Sequence, residues 1–227
     1  MSDITVVLVS GKSQNGKDEF FKQAGRALGF TRVAFADKLK STVQDLYNLS
    51  DEQMHGSLKD TPDTRYPNLI DSPTIKVCSS LGVGVRGVGP VTEMPNQDYT
   101  KFLTPRRILQ QFGQDQRALN PDIWVNYVFN SAIKNLVKEG HSKFMITDLR
   151  FPNEAAKGLE WGQATGSKVF VTRVNRPGIV AASNPNDISE TALDNYEHWN
   201  AIIDNSGTID ELKQRGIESL HHLLNTI

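Results

Sequence analysis

A short β-branched apolar run, Thr5–Ser10, ends in Gly11-Lys12-Ser13-Gln14-Asn15-Gly16-Lys17-Asp18. Phe20, Phe21, Ala24, Ala27 and Leu28 then recur at helical spacing until Gly29. A buried strand feeding a G-x-x-x-x-G-K turn that opens an amphipathic helix leaves few folds open. The glycines let successive backbone N–H groups curl around an anion, and the start of the helix adds partial positive charge. Lys17 supplies a point charge for the outer phosphates. An ordinary strand–turn–helix connection would use its glycines only to turn. The flanking periodicities favour the phosphate loop, with Gly11, Asn15, Gly16, Lys17 and Asp18 as its ligand-facing residues.

The residue after the lysine in such loops is usually Ser or Thr, whose hydroxyl ligates Mg²⁺. Here it is Asp18. A carboxylate there either ligates Mg²⁺, directly or through water, or serves as a favourable acid in a first helical turn.

The remaining pattern is that of a parallel α/β protein. Thr31–Phe35 reads as a second strand and about 37–48 as a helix. Phe144–Thr147 reads as a strand, Asn153–Trp161 as a helix and Lys168–Val174 as a strand. Ala201–Ile203 reads as a last short strand before a helix opened by the capping box Thr208…Glu211. About five strands with helices between them result, and 227 residues fit one domain. Thr104-Pro105 is a good helix start, and Pro121 opens a longer helix through about Lys138. Residues 56–103 follow no dominant period and read as an insertion with a hairpin, Thr74–Val77 being one β-like stretch. Residues 175–195, rich in Asn, Pro, Ser and Asp, read as a loop or lid. Gly82–Gly87 matches G-x-G-x-x-G, but Val88-Gly89-Pro90 follows where a helix would be needed, so no dinucleotide site is expected there.

Two further clusters carry charge that a phosphate would use. Asp148 and Arg150 end the Phe144–Thr147 strand, at the sheet edge where parallel α/β folds place ligands. Asp148 suits Mg²⁺ or its waters and Arg150 a transferring phosphoryl group; alternatively the two pair to hold the turn before Pro152. Arg106 and Arg107 lie in a first helical turn, where the dipole favours acids. Either an anion sits opposite them or surface carboxylates pair with them, and Arg117 lies further along the same helix. Trp124 either stacks on a base or, at helical spacing with Val128, belongs to the core. The five histidines show no metal-ligand spacing, and the lone Cys78 reads as buried filler of a reducing compartment.

A net charge of −1 gives no global field to hold a nucleic-acid backbone, which argues against a DNA- or RNA-binding role. No apolar run approaches the roughly 18 residues needed to cross a membrane, and no basic leader precedes Thr5, so a cytoplasmic protein is expected. No heptad or apolar stripe sets an oligomeric state, and a homodimer stays open.

Five blocks together resemble the deoxynucleoside monophosphate kinases of tailed bacteriophages. They are the glycine loop with Lys17-Asp18, Phe35-Ala36-Asp37-Lys38-Leu39-Lys40, Thr104-Pro105-Arg106, Asn120-Pro121-Asp122-Ile123-Trp124 and Thr147-Asp148-Leu149-Arg150-Phe151-Pro152-Asn153-Glu154. Ser189-Glu190 and Ile203–Thr208 also look like that family. The resemblance implies a P-loop kinase fold with an acceptor-binding insertion at about 56–140 and a lid at about 175–195. It implies transfer of the ATP γ-phosphoryl group to a 5′-deoxynucleoside monophosphate with Mg²⁺, supplying phage DNA synthesis in the host cytoplasm. It would place Asp37, Lys38, Arg106 and Arg117 at the acceptor, and Arg173 or Arg176 at the donor phosphates, with Asn205, Gly207 and Thr208 near the adenine. From the residues themselves, Trp124 is the candidate base-stacking side chain of the acceptor pocket, and Asp18 and Asp148 are the candidate metal-side carboxylates. Lys17, Arg150 and Asp148 are the expected catalytic set. Competing expectations are a kinase of another phosphorylated small molecule, a kinase of a modified base in phage DNA, and a nucleotide-binding module without turnover.

Overall fold

The computed structural model describes residues 4–66, 102–178 and 188–225. The expected hairpin, the Gly82–Gly87 run, Cys78 and part of the expected lid lie outside them. The described chain divides into two compact units, Met1–Asp37 with Trp124–Ile227, and Lys38–Ile123.

In the first unit, all six residues of β1 (Thr5–Ser10) are buried, as a strand covered on both faces must be. It is the centre of a five-stranded sheet in the order β2 (Thr31–Val33), β3 (Lys143–Leu149), β1, β4 (Lys168–Asn175), β5 (Ala201–Asp204). Every pairing is parallel, and Thr5 stands opposite Lys143 on one side and Lys168 on the other. After β1 the chain moves to one side of the sheet for β2 and β3, then crosses to the other for β4 and β5. The loop leaving β1 therefore sits where strand order reverses, the place at which such sheets open a crevice.

Alternation along β1 sends its side chains to two cores. Val7 and Val9 join Phe20, Phe21, Ala24, Leu212 and Leu220. The first three come from the helical segment that follows the loop, α1 (Lys17–Phe20) and its continuation through a π-helical Phe21–Gly25 and a 3-10 turn Arg26–Leu28.

On the opposite face Leu8 meets Gly158 of the helix Pro152–Thr165. Phe129 packs there too, its ring centroid 5.1 Å from that of Trp161 and 6.4 Å from that of Phe35. Phe129 belongs to one helical run, Ile123–Lys138, with a π-helical stretch at Val128–Ala132. Residues 124–140, expected in the insertion, cluster with the sheet because Val125, Val128, Phe129 and Ile133 are buried.

One boundary differs from expectation. The second strand ends at Val33, and Phe35 opens α2 (Phe35–Leu46) instead of closing the strand. The cause is distant in sequence: the Asp148 carboxylate accepts the N–H groups of Phe35 (2.8 Å) and Ala36 (2.9 Å), which would otherwise be unpaired at a helix start. Asn48, at φ 44°, then turns the chain out of helical geometry.

The second unit carries α3 (Asp51–His55), capped by a reciprocal Ser50–Gln53 box, and α4 (Pro105–Leu119), capped by Thr104 Oγ1 on Arg107 N–H at 3.2 Å. Asp63 N–H donates to Leu103 O and Leu103 N–H to Tyr66 O, each at 2.8 Å, so the chain on either side of the undescribed stretch meets as a short ladder. The Arg65 guanidinium, donating side-chain hydrogen bonds to Asp63, holds that carboxyl far below the usual carboxylate range. The Tyr66 hydroxyl donates to Tyr47 O, and the two rings meet edge-on at 5.3 Å.

In the first unit the last helix, α5 (Ile209–Asn225), packs where Gly216 faces Phe20 and Ala24. A Cβ on Gly216 would lie 2.8 Å from Ala24 Cβ. Gly216→Val should therefore destabilise the fold by about 1–3 kcal/mol through overpacking, despite the better helix propensity of valine. Urea denaturation measures this; an unchanged midpoint would contradict the packing described.

Candidate phosphate-binding site

The loop between β1 and α1 has room only for backbone at its two glycines. A Cβ on Gly11 (φ 153°) would stand 2.5 Å from the carbonyl oxygen of Val174, and one on Gly16 (φ 92°) 2.3 Å from Nδ2 of Asn205. Gln14 also takes positive φ, at 63°. Asn15 is buried, its side-chain amide directed at Val174 O (3.4 Å), while Asn205 Nδ2 donates to Asn15 O at 2.9 Å. Asn205 itself hangs from β4 through its N–H to Asn175 O at 2.7 Å. Two asparagines from opposite ends of the chain thus brace the loop against β4.

Lys17 lies back over the loop, its ammonium donating to Gly11 O (2.5 Å) and Lys12 O (3.0 Å). Burial, followed by the nearby Arg150 guanidinium, lowers its pKa to about 8, while Glu190, Asp18 and Asp148 pull in the opposite direction. The carboxylates that gather here come from downstream of β4. Glu190, in the single turn Ile188–Thr191, accepts Ser13 N–H on Oε2 at 2.7 Å and the Arg150 guanidinium on Oε1. Arg150 Nη1 also reaches Ser189 Oγ at 3.2 Å. Asp194 takes Lys12 at 2.9 Å and Arg173 at 3.0 Å, and the Arg173 guanidinium lies 5.5 Å from the Trp199 ring centre.

The sequence-expected residues do not all meet at one place. Gly11, Asn15, Gly16, Lys17, Arg150, Arg173 and Asn205 come together around the loop. Asp18 follows Lys17 with its side chain largely exposed and Arg32 at 4.0 Å. Thr208 and Glu211 form the expected reciprocal cap of α5 beside Gly207, and Arg176 is exposed just past β4. Asp148 is not paired with Arg150 as the turn alternative had it. Both its oxygens serve the start of α2, and burial raises its pKa against those two hydrogen bonds.

Asp37 accepts Ala34 N–H at 3.0 Å and pairs with Arg32. Trp124 is buried, and its indole N–H has no hydrogen-bond partner among the described residues. Lys38, Arg106 and Arg117 belong to the second unit, where Arg106 forms a two-pronged ion pair with Asp60. The half-buried Lys59 lies in the field of Lys40 and Arg106, and its pKa is lowered, first by burial and then by those cations.

Glu190 and Asp194 had no assigned role in the sequence reading. Ser189-Glu190 stood out only as part of a resemblance, and nothing local ties an acid to an arginine 40 positions earlier.

Fold and loop define a parallel α/β protein: a five-stranded sheet flanked by helices, with a phosphate-type glycine loop at its switch point. No family model matches the chain. A protein of Acanthamoeba polyphaga mimivirus named "Putative deoxynucleotide monophosphate kinase" is 28% identical over 220 residues, spanning 92% of this chain and 91% of its own length. "Uncharacterized protein ORF76" of Ictalurid herpesvirus 1 (strain Auburn) is 30% identical over 108 residues; that match spans 47% of this chain and 42% of the relative. These relatives come from a mimivirus and a herpesvirus, so the resemblance is not specific to tailed phages. Among solved structures, a dephospho-CoA kinase from Campylobacter jejuni aligns over 96% of both chains at 14% identity and a TM-score of 0.45. The APS kinase CysC of Mycobacterium tuberculosis aligns over 96% of this chain and 98% of its own, at 12% identity and a TM-score of 0.39. No described helix is long and apolar enough to cross a membrane.

A polyanion arriving beside Lys17 must raise its proton affinity. Binding of ADP near pH 8, where its phosphates are fully ionised and the amine is about half protonated, should therefore take up protons. Uptake should fade below pH 7, where the amine is already charged. Calorimetry in buffers of differing ionisation enthalpy reads this directly; Lys17→Met should abolish the uptake, and proton release by the wild type would contradict the site.

Proposed function

We propose that this chain is an ATP-dependent nucleotide kinase that transfers the γ-phosphoryl group to a 5′-deoxynucleoside monophosphate. The observation that carries the reading is the glycine loop with Lys17 and Arg150 beside it at the sheet's switch point. A relative matched over nearly the whole chain, and named for this activity, supports it.

In the proposed reaction an oxygen of the acceptor's phosphate attacks the γ-phosphorus of ATP, and the bond from that phosphorus to the β,γ-bridging oxygen breaks. The products are a diphosphate and ADP. The attacking oxygen is already anionic, so no strong base is required, and catalysis reduces to alignment and charge neutralisation. Loop amides grip the β-phosphate, Lys17 leaves its two carbonyls for the phosphate oxygens, and Arg150 turns to the transferring group. Arg173 and Arg176 serve the donor phosphates, and Asn205, Gly207 and Thr208 the donor's base. Asp37, Lys38, Arg106, Arg117 and Trp124 serve the acceptor.

Among the described residues no group of three His, Cys, Asp or Glu side chains gathers as a metal cage. Mg²⁺ would arrive with the nucleotide and be held chiefly by its phosphates, with Asp18 and Asp148 as its protein-side neighbours. Its contribution is to neutralise charge on the β- and γ-phosphates. The expected setting is the host cell's cytoplasm, where both nucleotides are available.

A panel of deoxynucleoside monophosphates with ATP and Mg²⁺ tests the proposal. Acceptor-dependent ADP release is expected with at least one base, and Lys17→Ala should reduce it at least about a hundredfold while the protein stays folded. Turnover with a non-nucleotide phosphate alone would transfer the reading to another small-molecule kinase. ATP binding without transfer to any acceptor would leave a binding module.

A further inference from the structure

The loop's anion site is not left to water. Glu190 puts one carboxylate oxygen on the N–H of Ser13, inside the phosphate loop, and the other on the guanidinium of Arg150. Its side chain is only 8% exposed, against 36% for Arg150. Both donors are those that a nucleotide phosphate would need, and Lys17 lies in the field of the same carboxylate. An ordinary ion pair with Arg150 would have no reason to involve a loop amide.

We infer that Glu190 is a built-in stand-in for a nucleotide phosphate. It holds the loop amide and Arg150 in place while the site waits, and it surrenders both when a phosphate arrives. This rests on reading the glycine loop as a phosphate site, and on no particular acceptor.

Three features make the exchange feasible. A phosphate ester or pyrophosphate carries more negative charge than a carboxylate and offers more acceptor oxygens, so it wins the shared donors when present. The turn bearing Glu190 is held to the loop by polar contacts: Ile188 is exposed, and Ser189 also bonds Arg150. Turning the Glu190 side chain away therefore breaks its polar contacts with Ser13 and Arg150, which a phosphate can replace. Leu193, which is buried, and Asp194, paired to Lys12 and Arg173, fix the chain just beyond, so the carboxylate returns to the same place when the phosphate leaves.

A competing internal anion reduces the apparent affinity of every phosphate ligand by the fraction of time it occupies the site. Glu190→Gln keeps the side chain's shape and removes its charge. Titrated by calorimetry with pyrophosphate and with ADP, it should bind both roughly tenfold more tightly than the wild type, with adenosine binding unchanged. Without ligand it should melt at a lower temperature, because Arg150 and Lys17 lose their counter-charge, and pyrophosphate should restore more of that loss than in the wild type. Glu190→Asp, too short to bridge Ser13 and Arg150 at once, should move affinity in the same direction and covers the case in which the glutamine variant does not fold. Equal or weaker pyrophosphate binding by the folded variants, with normal binding by the wild type, would overturn the stand-in role and leave the proposed function intact. Absence of pyrophosphate and ADP binding in the wild type would overturn both.

Discussion

Two backbone positions without room for a side chain govern this molecule. Gly11 lies against a carbonyl of β4 and Gly16 against the amide of Asn205. The loop between them can keep its path along β4 only while both stay bare. Because β1 is central and buried on both faces, the loop cannot drift with the surface. Because Asn15 and Asn205 tie it to β4, it cannot collapse onto the helix that follows. Concentrating donors and cations in this way is costly without an anion, and that cost shows in the depressed pKa of Lys17 and in the inward-drawn Glu190.

The charge pattern around the loop follows from the same constraint. Lys12 and Arg173 share Asp194, Arg150 takes Glu190, and Lys17 settles for two main-chain carbonyls. Under the proposed function the contacts of Arg150 and Lys17 would yield to phosphate oxygens, while the Asp194 pairs hold the chain beside them. Asp148 differs. Its carboxylate is committed to the first two N–H groups of α2, so it links the end of β3 to the start of that helix while staying within electrostatic reach of Lys17.

Local signals in the sequence carried far. The loop, the capping pair Thr208 and Glu211, the Thr104-Pro105 start and all five strands were legible, because each is written within a few adjacent residues. What stayed hidden depends on distant partners. Phe35 has strand-like composition, yet Asp148 turns it into a helix start. The arginines at 106 and 150 announced a need for anions, but their partners Asp60 and Glu190 are chosen by the fold rather than by spacing. Asn15 and Asn205 read as ligand residues, and in the fold they also brace the loop through each other.

The most direct test of the central claim is the backbone amide spectrum of the loop during titration with MgATP. The account predicts large, saturable shifts of the Ser13, Asn15, Gly16 and Lys17 N–H resonances at one common affinity. Resonances that stay fixed at those four positions while others move would place the nucleotide elsewhere and contradict it.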